Sequence, residues 1–208
     1  MTAERTLPDD WYSGTVPGNV SLDENAHLQT TFSFHLYRSA RPEGMVIGHG
    51  ASVYNGTMFD VGPAGRVTIG QYAMVNEARI ICDEEVSIGA YTLIAWNVVI
   101  MDTYGLPIDR RARRFELEHF AAQKRRRFER HASTESVRIG ANVWIGFDCC
   151  ILPGATIGEG SVIGARSVVA SDIPPFTIAA GNPARVVRAF TTEEINHASS
   201  RIAEAVGA

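Results

Sequence analysis

Apolar positions in the second half of the chain recur every six residues. From Val137 to Ile173, the residues Ile139, Ile145, Ile151, Ile157, Ile163 and Val169 keep one phase. Two positions before each stands Val137, Val143, Cys149, Ala155, Ser161 or Ser167, all small or β-branched. Glycine follows the aliphatic residue at Gly140, Gly146, Gly158 and Gly164. A period of six matches neither the 3.6 of an amphipathic helix nor the 2 of a simple hairpin ladder. It predicts short strands separated by tight corners, with one aliphatic residue per strand pointing inward, stacked as a solenoid.

The same phase is broken further upstream. Leu22, Leu28 and Phe34 are spaced by six, then a break holds Pro42 and Gly44. Ile47, Val53 and Phe59 restart it, Gly62–Gly65 interrupts it, and Ile69, Val75 and Ile81 resume it. Ile88, Ile94 and Ile100 complete the series before a long gap. Trp11 and Tyr12, in an irregular lead-in, are expected to cover the open end. Ile139 and Ile157 are 18 residues apart and Ile88 and Ile139 are 51 apart. The excess predicts that about residues 102–136 are extruded from the solenoid.

That insertion carries Leu117, Phe120, Ala121 and Phe128 at helical spacing, which predicts an amphipathic helix. Between Asp109 and His131 stand nine Arg or Lys against four acidic residues, on a protein of net charge −4. Such a run reads either as a solvated helical face or as a basic flap that draws in an anion. Beyond Val169 the two prolines Pro174 and Pro175 predict an end to strand pairing. Thr191 followed by Glu194 has the spacing of a capping box, and Ile195, Ala198, Ile202 and Ala205 follow at helical steps. The expected layout is a β-solenoid domain over residues 1–190, including lead-in and insertion, and a C-terminal helix over 191–208.

Composition narrows the function. An apolar content of 45% and a charged content of 20% describe a globular chain. The net charge gives no global reason to bind nucleic acid or membrane. No apolar run reaches the length of a membrane span and no signal peptide is evident. Three cysteines without a CxxC spacing suit a reducing, cytoplasmic setting.

Four segments carry a resemblance: Val143–Gly146 (VWIG), Ile151–Gly158 (ILPGATIG), Ser171–Pro175 (SDIPP) and Ala180–Arg185 (AGNPAR). They resemble the hexapeptide-repeat acyltransferases, in particular their sugar, antibiotic and thiogalactoside O-acetyltransferase branch, over about residues 46–190. The resemblance implies a mainly β fold, a left-handed parallel β-helix of about six coils, assembled as a homotrimer. It implies acetyl-CoA or another acyl-CoA as co-substrate, a small hydroxyl- or amine-bearing acceptor such as a sugar or natural product, and no metal. Trp144 matches an aromatic residue lining the pantetheine channel. Ala165 and Ala170 match positions whose backbone holds pantetheine amides, and Arg185 and Arg188 match residues that meet nucleotide phosphates. Phe147 and Ser171 depart from the family pattern, which has a small polar residue and a Lys there.

The acceptor side departs more sharply. The family loop after the position of Ile100 reads Asp-x-x-Gly-His-Pro, with the His as general base. Here it is Met101–Pro107, with Asp102, Gly105 and Pro107 in place and Leu106 in the His position. Leucine moves no proton. His131 is the first candidate to replace it, since it lies five residues before Ser136 and has Arg127 and Arg130 beside it to favour the neutral imidazole. His119 is a second. Asp102 could serve if burial raised its pKa, Tyr104 could donate a hydrogen bond, or an acceptor that needs little activation would leave the protein only positioning and an oxyanion site to provide. Asn97 matches a polar residue beside the acceptor. The competing reading is a catalytically retired trimeric scaffold that binds a ligand or partner. A solenoid carbonic anhydrase would need three converging His on Zn²⁺, and no His pair occupies matching coil positions.

Overall fold

The computed structural model describes residues 5–122 and 133–195. The chain winds as a parallel β-helix with three flat faces. The first face stacks six strands: Val20–Leu22, Met45–Ile47, Arg66–Ile69, Glu85–Ile88, Val137–Ile139 and Thr156–Ile157. The second runs His27–Leu28, Ser52–Val53, Met74–Val75, Leu93–Ile94, Trp144–Ile145, Val162–Ile163 and Thr177–Gly181, with Ala184–Ala189 folded back antiparallel on the last. The third holds Met58–Val61, Arg79–Cys82, Val99–Met101, Cys150–Ile151 and Val168–Val169.

The six-residue phase becomes three inward columns. Ile47, Ile69, Ile88, Ile139 and Ile157 are in register on the first face. Val53, Val75, Ile94, Ile145, Ile163 and Ala179 align on the second, and Phe59, Ile80, Ile100, Ile151 and Val169 on the third. All are buried, as are the small residues two positions earlier from Val137 to Ser167. Each buried aliphatic side chain contributes about 1.5–3 kcal/mol from burial. Coils stack so closely at the corners that a side chain cannot fit on the outer glycines. A Cβ on Gly89 would stand 2.4 Å from the backbone of Ala141 in the next coil.

Several sequence expectations shift. The third column uses Ile80, while Ile81 is only half-buried on the outside. The corner at Asn76–Glu77 is one residue short, and Glu77 takes a positive φ of 48° to make the tighter bend. Leu22 is half-buried and Phe34 enters the core from a 3-10 turn, Thr31–Phe34, in place of a strand. Trp11 stays 63% exposed, packed edge-on to Tyr12 and against Phe32. Pro174 and Pro175 do not end the pairing: they sit at a corner, and Thr177–Gly181 adds a further parallel strand to Val162–Ile163. The proline nitrogens fall where the corner needs no ladder donor.

The extrusion lies between Met101 and Val137. Its ends are tied by a Thr103–Thr134 bridge and by Glu135 N–H donating to the Asp102 carbonyl at 2.9 Å. It contains helix α1, Arg110–Ala122, in which no residue is buried. The expected helix is present, with Phe120 half-buried and Leu117 47% exposed. Phe128 lies outside the described residues. At the C-terminus Thr191 and Glu194 form the expected reciprocal cap, with Glu194 N–H on the Thr191 hydroxyl at 3.2 Å and Thr191 N–H on Glu194 Oε2 at 2.9 Å. A helix starts at Thr192, and Ala198, Ile202 and Ala205 lie outside the described residues.

Candidate active site

Asp102 follows the strand Val99–Met101 and turns inward at full burial. Its carboxylate receives the N–H of Asp83 at 2.8 and 3.1 Å, of Glu84 at 2.7 Å and of Glu85 at 2.9 Å. Burial pushes its pKa above the ordinary Asp value, and the N–H groups of Asp83 and Glu84 oppose that shift. The raised pKa meets one condition for a base, but both oxygens face the protein's own backbone. Asp102 thus braces the 83–85 turn, with its oxygens taken by those backbone donors. Glu84 secures the other strand of the extrusion, taking the hydroxyls of Thr134 at 2.5 Å and Ser136 at 2.8 Å, which hold its pKa down.

The rest of the loop faces outward. Tyr104 is 55% exposed, Leu106 and Pro107 are half-buried, and Gly105 takes a φ of 75° with its N–H on the Thr103 hydroxyl. His119 lies on α1, its ring stacked on Phe115 at 5.9 Å. His131 lies outside the described residues.

Asn97 sits at the corner between the second and third faces, at a φ of 58°. Its amide donates to Asp148 Oδ1 at 2.6 Å, and Asp148 Oδ2 lies 3.5 Å from Arg166 Nε. Asn97 and the loop at Asp102 stand at opposite ends of one strand, about 16 Å apart at an extended rise per residue. The two halves of the sequence-derived acceptor site therefore occupy different corners of the same coil.

Trp144 projects from the second face at 55% exposure, in register with Leu93 and Val162. Ala165 is exposed at the corner above Gly146, where a Cβ would come within 2.7 Å of the Ala165 nitrogen. Ala170 is exposed near the end of the third face. Arg185 and Arg188 lie on the returning strand Ala184–Ala189. Arg185 bonds the Ala184 carbonyl at 2.9 Å, while Arg188 forms a forked pair with Glu194 at 2.8 and 2.9 Å and lies over the Phe190 ring. The sequence reading missed Trp96, half-exposed and stacked on Phe147. An aromatic residue at an outward phase position directly before Asn97 was the available signal.

The family model for the bacterial transferase hexapeptide (six repeats) matches residues 136–171. A solved galactoside acetyltransferase in complex with coenzyme A is 31% identical, covering 73% of this chain and 68% of that one, with a TM-score of 0.56. This chain belongs to the hexapeptide-repeat acetyltransferase family. Its fold is the left-handed parallel β-helix of that family. A hexapeptide-repeat acetyltransferase of Vibrio cholerae O1 biovar eltor, solved with acetyl coenzyme A, is 26% identical over 76% of this chain and 74% of its own, with a TM-score of 0.59. The galactoside O-acetyltransferase of Escherichia coli strain K12 is 38% identical over 143 residues, 68% of this chain. The chain spans 62% of that relative's length, and 29% of a Staphylococcus aureus relative matched at 58% identity over 57 residues. Among the described residues no helix is long and apolar enough to cross a membrane, and no group of three or more His, Cys, Asp or Glu could hold a metal ion.

Proposed function

We propose that the protein transfers an acyl group, acetyl in the simplest case, from acyl-CoA to a hydroxyl or amine on a small acceptor. The observation that carries this is family membership together with the retained cofactor-side segment, Trp144 to Arg188. The acyl-CoA arm runs along the corner of Ala165 and past Trp144, with Arg185 and Arg188 at its phosphates. Fixed guanidinium charges suit phosphate oxygens. Arg188 must first release Glu194.

The active assembly in this reading is a homotrimer, and two features support it. In the later coils the outward rows of two faces are apolar, with Met74, Leu93, Trp144, Val162 and Ile178 on the second and Val99, Cys150 and Val168 with Ile81 and Met101 on the third. The first coils place His27 and Ser52, and Asp60 and Arg79, in the same rows. The first face presents Ser21, Val46, Thr68, Ser87, Arg138 and Thr156. A threefold assembly buries two faces of each subunit and leaves the third to water.

The base in this scheme is His131, because Leu106 cannot accept a proton and Asp102 is saturated by backbone donors. The neutral imidazole takes the acceptor's proton as its oxygen or nitrogen attacks the thioester carbonyl, and the CoA thiolate leaves. In this scheme Tyr104 donates a hydrogen bond from the loop. His131→Ala should lower turnover by roughly 10²–10⁴-fold with acyl-CoA affinity retained. Full turnover in that variant overturns the assignment.

A second reading is favoured by Leu106: a retired transferase that keeps the scaffold and binds its ligand. It predicts acetyl-CoA binding without thiol release against any acceptor, and gain of activity in Leu106→His.

A further inference from the structure

The corner at Asn97 is built unlike a plain turn. In three successive coils its left-handed position is filled by Asn97, Asp148 and Arg166, at φ 58°, 58° and 62°, where glycine would be free of strain. Their side chains link head to tail through the 2.6 Å and 3.5 Å contacts described above. Beside this polar ladder runs an apolar one. The Trp96 and Phe147 rings stack at 5.4 Å and are within 5° of parallel, and the Arg166 guanidinium caps the far side of the column, 5.8 Å from the Phe147 centroid.

Phe147 covers one face of the indole, yet Trp96 remains 51% exposed. Among the described residues no other ring or cation lies against it. The other exposed aromatic residues are differently placed. Tyr72 and Tyr91 stack on each other, with His49 edge-on to Tyr72. Trp144 belongs to the apolar row of the second face. Trp11, 63% exposed and backed by Tyr12 and Phe32, lies in the lead-in, whereas Trp96 stands at a coil corner with the polar ladder of Asn97, Asp148 and Arg166 one residue away.

We infer that Trp96 is a specificity-determining surface for the acyl acceptor, which lays the apolar face of a six-membered ring on the indole and offers its hydroxyl or amine groups to Asn97 and Asp148. This rests on the transferase reading, in which Asn97 adjoins the acceptor. An aromatic plate beside an amide and a carboxylate matches a molecule with C–H groups on one face and polar groups at its rim. An acyclic polyol has the same polar groups but no flat face, so it loses the stacking contact. Phe147 and Arg166 are positioning residues: they fix the indole plane and do not touch the acceptor.

The test compares methyl glucopyranoside with sorbitol as acceptors, following thiol release from acetyl-CoA. The ratio of their kcat/KM values should favour the ring, fall about tenfold in Trp96→Ala and recover in Trp96→Phe. Phe147→Ser should lower the ratio while leaving the indole in place. A parent that prefers sorbitol, or a ratio unchanged in Trp96→Ala, overturns the inference. So does a change in assembled mass in Trp96→Ala, which would make the residue a subunit contact. Saturation-transfer NMR with methyl glucopyranoside gives a readout without turnover. Transfer to ring C–H protons in the parent that drops in Trp96→Ala supports the inference, and no transfer, or equal transfer in both, overturns it. Failure of acetyl-CoA to bind the parent would sink the transferase reading separately, since the NMR experiment requires no cofactor.

Discussion

Replacing Asp102 separates a structural brace from a catalytic base. In Asp102→Ala three N–H groups, of Asp83, Glu84 and Glu85, lose their acceptor at once. All three are partly buried, so about 1–1.5 kcal/mol each, or about 3–4.5 kcal/mol together, is the expected loss. In a domain of this size that corresponds to a fall in Tm of about 6–18 °C. Asp102→Asn should behave differently. Oδ2 alone takes contacts from all three N–H groups, at 3.1, 2.7 and 2.9 Å. An Asn carbonyl in that place keeps an acceptor for all three N–H groups and removes the cost of burying a charge, although its NH2 group then replaces Oδ1 and takes from the Asp83 N–H its 2.8 Å acceptor. The Asn variant should melt within about 5 °C of the parent, a difference of about 1 kcal/mol. The pH dependence gives a second sign. Burial raises the Asp102 pKa above its ordinary 3.8, so folding favours the protonated acid. Its contribution is complete below about pH 3.8 and is lost as pH rises through the raised value. The Asn variant should lack that decline. Differential scanning calorimetry across pH 3–8 reads both effects. An Asn variant as stable as the parent but lowered 10²–10⁴-fold in turnover would refute the brace and restore Asp102 as the base.

Three further outcomes follow from the geometry. Burial tends to raise the Asp10 pKa, but the Thr31 hydroxyl and N–H, the Tyr12 N–H and the Thr30 hydroxyl outweigh it and hold the group down at about 2; the stability it contributes above the ordinary 3.8 should be lost as pH falls towards 2, read as Trp11 fluorescence change in a Trp96→Phe, Trp144→Phe background, and no change over that range contradicts the clasp. Ile151→Ala removes a fully buried side chain from the middle of the third column and should cost about 2–5 kcal/mol in denaturant titration, with a loss below about 1 kcal/mol contradicting the packed core. Glu194→Gln frees Arg188 from its forked pair and should tighten CoA binding by calorimetry; weaker binding would mean that the pair, and not the free guanidinium, serves the cofactor.

Most of the fold was legible because one residue in six must point inward, and that demand is written in Ile and Val at fixed spacing. The six in-phase residues from Ile139 to Val169 all reach the core, and the 51-residue gap is where the extrusion lies. Phase reading failed at Ile81, because a corner can drop one residue when Glu77 accepts a left-handed backbone. It failed at Pro174 and Pro175 because proline opposes pairing only where a ladder donor is needed. Helical spacing in α1 was real, yet spacing alone does not say what covers an apolar face. The site was less legible still. Leu106 announced the missing imidazole, but the fate of Asp102 depended on N–H groups 17 to 19 residues earlier, brought near by one turn of the solenoid. The Trp96–Phe147 stack joins residues from two coils separated by the whole extrusion, so no local pattern contains it.

Titration of acetyl-CoA into the protein, beside Arg185→Ala/Arg188→Ala, tests the central claim most directly. Saturable binding to the parent, weakened by about 1.5–3 kcal/mol for each charge-assisted contact before screening, is the expected result. No binding to the parent, or equal affinity in the double variant, would contradict it.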